Sequence, residues 1–276
     1  MSGSTLLIIT IILLAVVGLL VGVMLVFAGN KFAVEIDPKE AEVRASLPGN
    51  NCGACGYPGC DGLAAAIAKG EAPVNKCPVG GAPVAAQISE IMGVEAGAAE
   101  KHVAFVRCSG TCDKAKEKSV YVGIQTCSAA AAIPGKASKA CQAGCLGFGE
   151  CMTVCDFDAI HVVNGIAVVD RTKCVACGKC VATCPQHLIE IIPDKSTYGV
   201  ACNSHESGKI VKQQCEAGCI GCRLCTRQCE TGSISVENNV AHIDYETCTH
   251  CGKCAAKCPA KVIVNRTGKV EIAETA

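Results

Sequence analysis

The chain has no tryptophan, and aromatic residues make up only 3% of its 276 residues. So few large apolar side chains build weak conventional cores, and small folds in that position rely on disulfides or metals. Formal net charge is zero, and no basic run interleaves with aromatics. Nucleic-acid binding therefore has no support. No G-x-G-x-x-G follows a strand pattern, so direct NAD binding is not expected. No charged side chain precedes the long apolar run near the N-terminus, which argues against a cleaved signal peptide with its basic leading segment.

What the chain has in abundance is cysteine, 25 residues in all. The count is odd, so complete pairing into disulfides within one chain is impossible. The spacings recur as C-x2-C-x2-C-x3-C, a pattern that fits iron–sulfur ligation and not a scattered disulfide framework. Residues 6–28 carry no charge and are long enough to cross a bilayer as a helix. Lys31, Lys39 and Arg44 follow this span, so the positive-inside rule places the remainder in the cytoplasm. Thiols there stay reduced and available to metal. The expected location is the cell membrane, with a single pass in contact with lipid. Gly18 and Gly22 give the span a small-residue face for a partner helix.

The first cysteine group is Cys52, Cys55, Cys60 and Cys77, with glycines at 53, 56 and 59 that let the backbone wrap a bulky inorganic core. Asp61 to Lys69 reads as a short Ala-rich helix. Residues 81–100 carry no motif and read as a linker or a loose helix.

An internal repeat follows. Val106-Arg-Cys108-Ser parallels Val200-Ala-Cys202-Asn, and Cys141-Gln-Ala-Gly-Cys145 parallels Cys215-Glu-Ala-Gly-Cys219. Cys151-x3-Cys155 parallels Cys225-x3-Cys229. Cys174-x2-Cys177-Gly-Lys-Cys180-x3-Cys184-Pro parallels Cys248-x2-Cys251-Gly-Lys-Cys254-x3-Cys258-Pro. Each copy carries a hairpin pattern, Ile160 to Val169 turning at Asn164-Gly165 and Ile234 to Ile243 turning at Asn238-Asn239. This is the layout of a two-cluster bacterial ferredoxin, present twice.

In such ferredoxins the last cysteine of each run ligates the other cluster. On that rule Cys219, Cys222, Cys225 and Cys258 hold one cluster, and Cys229, Cys248, Cys251 and Cys254 its neighbour. In the first copy Cys155, Cys174, Cys177 and Cys180 hold one. Phe148 stands where the second copy has Cys222. The remaining set is then expected to be Cys141, Cys145, Cys151 and Cys184, the alternative being a three-cysteine site. With the first group this makes five [4Fe–4S] clusters. Cys108, Cys112, Cys127, Cys202 and Cys215 remain. Cys108, Cys112 and Cys127 are candidate ligands of a sixth cluster, completed by Cys202 or Cys141; the bland reading is buried free thiols. Asp156 and Glu230 follow the crossing cysteines Cys155 and Cys229 where proline is usual. His250, inside Cys248-Thr-His-Cys251, is a candidate for tuning potential, and His205 a candidate ligand. Lys114, Lys116, Lys118, Lys136 and Lys139 suggest a basic face for an acidic partner.

With these residues on view, the chain resembles the B subunits of the Rnf complexes, ion-translocating ferredoxin:NAD oxidoreductases of bacterial membranes, in their longer form. The resemblance rests on the anchor, the Asn51 to Cys77 domain and the doubled ferredoxin unit. It implies an α+β chain: an N-terminal transmembrane helix (1–30), a small four-cysteine Fe–S domain (31–82), a linker (83–102), a ferredoxin-like module with an insertion (103–196) and a second module (197–276). It also implies a role in accepting electrons from soluble reduced ferredoxin and relaying them to other Rnf-type subunits, toward NAD reduction coupled to Na+ or H+ movement. A single span without buried charge forms no ion path by itself, so the chain alone is an electron carrier without catalytic residues. Competing readings are a component that keeps a redox-sensing regulator reduced, a polyferredoxin of another membrane reductase, and a zinc-stabilised scaffold.

Overall fold

The computed structural model describes residues 3–31, 37–97 and 100–267. Helix α1 (Gly3–Lys31) has its 19-residue stretch Ile11–Gly29 at mean hydropathy 3.1, with none of it buried. Isoleucine, leucine and valine are exposed along it from Ile9 to Val26. That surface is at home only in lipid or against another apolar helix.

A three-helix domain follows, made of α2 (Pro38–Ser46), α3 (Gly59–Ala68) and α4 (Gly81–Met92). Asp37 caps α2 by accepting from the Lys39 backbone N–H at 2.9 Å, and Pro38 sits at the first helical position, where its missing N–H costs nothing. Val43, Leu63, Ala64, Ile67 and Ile88 close the core. The segment expected as a linker from residue 83 is therefore partly domain. Its apolar positions fall on one helical face, Ile88 is fully buried, and the helix stops at Gly93 in the left-handed conformation.

The two halves that follow are built alike. In the first, β1 (His102–Val106) pairs antiparallel with β4 (Ile189–Pro193), His102 opposite Pro193 and Val106 opposite Ile189. Between them lie α5 (Cys127–Ala132), α6 (Glu150–Thr153), the hairpin β2 (Ile160–Val163) and β3 (Ile166–Val169), and α7 (Lys179–Thr183). In the second half, β5 (Tyr198–Val200) pairs antiparallel with β8 (Ile263–Asn265). They enclose α8 (Gly208–Gln214), α9 (Leu224–Gln228), the hairpin β6 (Ile234–Glu237) and β7 (Val240–Ile243), and α10 (Lys253–Ala256). Both hairpins turn where expected: Asn164 and Gly165 have φ of 46° and 74°, Asn238 and Asn239 of 46° and 66°. Two consecutive positive φ values define the type I′ turn.

The apolar interior of each half is thin, and cysteines form part of it. Val103, Ile160 and Ile189 pack with Cys151 and Cys174, and Ile234, Ile243 and Val262 with Cys219 and Cys225. The halves meet across Phe105 and Ile192 on one side and Ala201, Val264 and Tyr245 on the other. The Arg266 guanidinium lies 5.1 Å from the Phe105 ring centre and donates to the Ser196 carbonyl at 2.7 Å. Burial, reinforced by Arg171 nearby, lowers its pKa to about 10.

Ile88→Ala removes the side chain by which α4 joins the core that it shares with α2 and α3. It should cost about 2–5 kcal/mol, read as faster amide hydrogen exchange at Leu63 and Ile67.

Candidate iron–sulfur centres

In the ferredoxin-like halves several cavities are each lined by four cysteines. In the N-terminal domain, Cys52 and Cys55 lie on the loop before α3, Cys60 on its first turn and Cys77 on the stretch leading to α4. Asn51 accepts the Cys60 backbone N–H at 2.8 Å and pins the loop's two ends together. Cys55 and Cys77 pack against the core that contains Cys60. Burial pushes the Cys77 thiol up, and the thiolates of Cys60 and Cys55 add to it against donation from the Gly80 and Val79 N–H groups.

In the first ferredoxin-like half, Cys155, Cys174, Cys177 and Cys180 line one cavity. Burial pushes Cys180 up to about 12, followed by the thiolates of Cys174, Cys177 and Cys155. Two backbone N–H groups point at these sulfurs, Ala104 to Cys174 at 3.3 Å and Ala159 to Cys155 at 3.4 Å. Cys177 is shifted up by burial and then by Cys52 as well as Cys155 and Cys174. The loop of the N-terminal domain is thus within electrostatic reach of this centre.

The lining of the second cavity of this half differs from the expected set at one position. It is lined by Cys127, Cys145, Cys151 and Cys184, without Cys141. Burial pushes Cys151 up to about 12, with Cys145, Cys127 and Cys184 the next contributors. The reason lies in the insertion. Phe148, in the place of Cys222, turns into a small cluster with Leu146, Ala130 and Cys127, its ring 5.3 Å from that of Tyr121. It anchors α5, whose N-terminus carries Cys127. Thr126 caps that helix through the Ala129 N–H at 3.3 Å, and Glu150 accepts from the Ser128 N–H and hydroxyl at 3.0 and 2.6 Å. A phenylalanine thus removes one thiol and docks the segment that supplies another. No spacing rule reveals this; the clue was the co-occurrence of the lost cysteine and the insertion.

In the second half, Cys219, Cys222, Cys225 and Cys258 line a cavity. Burial and then Cys219 push Cys225 up to about 11. Cys254 is raised by burial first and then by Cys248, Cys229 and Cys251, after opposition from the Ala255 N–H. At Cys229 burial acts upward, but donors at Thr231, Ser233 and Ile234 outweigh it and the thiol lies below its usual range. The loops need left-handed residues to curl around their contents: Ala176 and His250 occupy equivalent places at φ 55° and 58°, followed by Gly178 and Gly252.

Asp156 and Glu230 have a shared role. Asp156 pairs with Lys179 at 2.5 Å, and Glu230 pairs with Lys253. Each lysine belongs to the Cys-Gly-Lys-Cys run of the same centre, so the acid after each crossing cysteine ties it to the run that shares its cavity.

Three other expectations resolve differently. Cys112 is exposed beside the hairpin turn, its N–H donating to the Asn164 carbonyl at 3.0 Å, and it joins neither Cys108 nor Cys127. His205 lies within 3.2 Å of the Asn238 carbonyl through Nδ1, at the other hairpin turn. Of the five lysines expected on a basic face, Lys139 is buried and Lys136 spans to the Gln142 carbonyl and Gln186, both at 2.8 Å.

The spaces suit a bulky core and not a single ion. Among the described residues no three His, Cys, Asp or Glu side chains converge to hold one metal ion, whereas zinc draws its ligands to about 2.0–2.3 Å. Four thiolates ringing a cavity, with backbone N–H groups aimed at sulfur, fit a [4Fe–4S] cube.

Comparison with known proteins agrees. An Fe–S cluster model matches residues 47–79, a 4Fe-4S binding domain 167–190 and a 4Fe-4S dicluster domain 218–262. The chain is 45% identical over 260 residues to the B subunit of the Na(+)-translocating ferredoxin:NAD(+) oxidoreductase complex of Acetobacterium woodii, covering 94% of this chain and 77% of that protein. It is 43% identical over 261 residues to the B subunit of the ion-translocating oxidoreductase complex of Methanosarcina acetivorans, covering 94% and 98%. It is 39% identical over 264 residues to the B subunit of the proton-translocating ferredoxin:NAD(+) oxidoreductase complex of Clostridium ljungdahlii, covering 93% of each.

The chain belongs to the family of these B subunits. The domain families leave residues 80–166 and 191–217 unmatched, and those stretches contain the insertion, Phe148 and Cys127. Phe148→Ala should therefore release α5. Native anaerobic alkylation should then label Cys127, which stays protected in the unaltered chain.

Proposed function

We propose that this chain is the electron-relay component of a membrane-bound, ion-translocating ferredoxin:NAD oxidoreductase. The observation that carries the reading is the set of cavities each lined by four cysteines, with Cys180 among the charges acting on Cys151 and Cys52 among those acting on Cys177. The [4Fe–4S] clusters supply one-electron redox chemistry at each centre. The ligands by this reading are Cys52, Cys55, Cys60 and Cys77; Cys155, Cys174, Cys177 and Cys180; Cys127, Cys145, Cys151 and Cys184; Cys219, Cys222, Cys225 and Cys258; and Cys229, Cys248, Cys251 and Cys254. The protein's part is to hold the thiolates at fixed separation, to aim backbone N–H groups at sulfur and to keep water from the buried faces.

Soluble reduced ferredoxin is the donor, and the acceptors are other subunits of the complex. Helix α1 holds the chain in the lipid bilayer, and Lys31, Lys39 and Arg44 keep the cluster-bearing bulk on the cytoplasmic side.

Anaerobically purified chain should be brown, contain at least about twenty irons with matching acid-labile sulfide, and bleach when mixed with reduced ferredoxin. Colourless, zinc-containing protein without sulfide would end this reading. A reporter fused after residue 267 should be active only as a cytoplasmic reporter; activity of a periplasmic one would reverse the orientation.

A further inference from the structure

Four of the remaining cysteines meet at the seam between the two ferredoxin-like halves. Cys108, Cys141, Cys202 and Cys215 line one cavity. The repeat explains their meeting. Cys108 and Cys202 stand at equivalent places just after β1 and β5, and Cys141 and Cys215 each stand four residues before a cysteine of the neighbouring centre. Each half thus gives the same pair of thiols to a pseudo-twofold axis.

The seam is stitched by backbone. The Ser109 N–H donates to the Ala201 carbonyl at 3.0 Å, Lys116 to Gln214 at 2.9 Å and Glu216 to Lys114 at 2.9 Å, with Ala115 bridged to Cys215. Gly110 and Gly144 keep the walls thin. A Cβ on Gly110 would lie 3.4 Å from Cys215 Sγ and 3.6 Å from Cys108 Sγ, and one on Gly144 3.5 Å from Cys141 Sγ and 3.7 Å from Cys108 Sγ. Lys139, 7% exposed, lines the same cavity, its ammonium held by the carbonyls of Gly110 at 2.9 Å and Gly165 at 2.6 Å. A buried cation beside four thiolates offsets their charge.

The seam thiols touch the flanking centres directly. The N–H of Cys145 donates to Cys108 Sγ at 3.4 Å, and the N–H of Cys219 donates to Cys202 Sγ at 3.3 Å. Gly110 and Ser204 add an N–H each, at 3.4 and 3.5 Å.

We propose that Cys108, Cys141, Cys202 and Cys215 ligate a sixth [4Fe–4S] cluster on the pseudo-twofold axis, and that it passes electrons between the two halves. The inference rests on the electron-relay reading above. In the step, one flanking centre is oxidised by one electron, the seam centre is reduced by it and then gives it to the other flanking centre; no proton or bond to substrate is involved. Six sets of four take up 24 of the 25 cysteines and leave Cys112, which is exposed.

The test uses the full chain, purified anaerobically. About twenty-four irons are expected, and native alkylation followed by peptide mass analysis should label Cys112 alone. About twenty irons, with Cys108, Cys141, Cys202 and Cys215 labelled while the other twenty stay protected, would overturn the sixth centre and leave the relay reading standing. Absence of iron and sulfide would take both down. The double variant Cys202→Ala/Cys215→Ala should lose about four irons and split the bleach by reduced ferredoxin into a fast phase and a slow one. A variant that keeps its iron, or that bleaches in one unchanged phase, contradicts the proposal. Lys139→Met should retain all six centres and shift one midpoint potential downward; unchanged potentials would remove Lys139 from the account.

Discussion

Four thiolates must stand around a bulky inorganic core, and nearly every other feature of this chain serves that requirement. Charge is the first consequence. Buried thiolates repel one another and lose hydration, as the upward shifts of Cys151, Cys180 and Cys225 record, so without a cationic core they are held as thiols. The core and the chain therefore need each other. Short strands and single-turn helices bury too little apolar surface to hold such small units alone, and the cysteines themselves complete the interiors around Ile160 and Ile234.

Duplication gives the chain its economy. The same acid–lysine tie follows each crossing cysteine, through Asp156 and Lys179 in one half and Glu230 and Lys253 in the other. These pairs are exposed and add little stability; their use is in positioning the run that completes each centre. The copies then diverge where function needs asymmetry. The first carries the insertion that brings Cys127 and the buried Lys139, and the N-terminal domain presents Cys52 to the same half. Between the copies, paired equivalent thiols line one cavity at the boundary, the seat we propose for a further centre.

Much of this was legible in the residues. The hydropathy of 6–28, the C-x2-C runs and the Asn164-Gly165 turn are local signals, and local geometry answers to them. Three features were hidden. The role of Ile88 depended on what α4 packs against. The exchange of Cys141 for Cys127 depended on Phe148 docking a segment some twenty residues away in sequence. Lys139 read as part of a basic surface because composition cannot say which cations face inward.

Spacing along the chain determined that thiolates would cage iron and sulfide, because three cysteines two residues apart on a tight loop already fix three corners of a cube. Hydropathy likewise determined that α1 belongs in a bilayer. Only the tertiary structure decided which thiols line the second cavity of the first half, and that Cys108, Cys141, Cys202 and Cys215 line one cavity at all. Those partners are far apart in sequence, and their meeting is set by how the strands, hairpins and insertion pack, which no local pattern encodes.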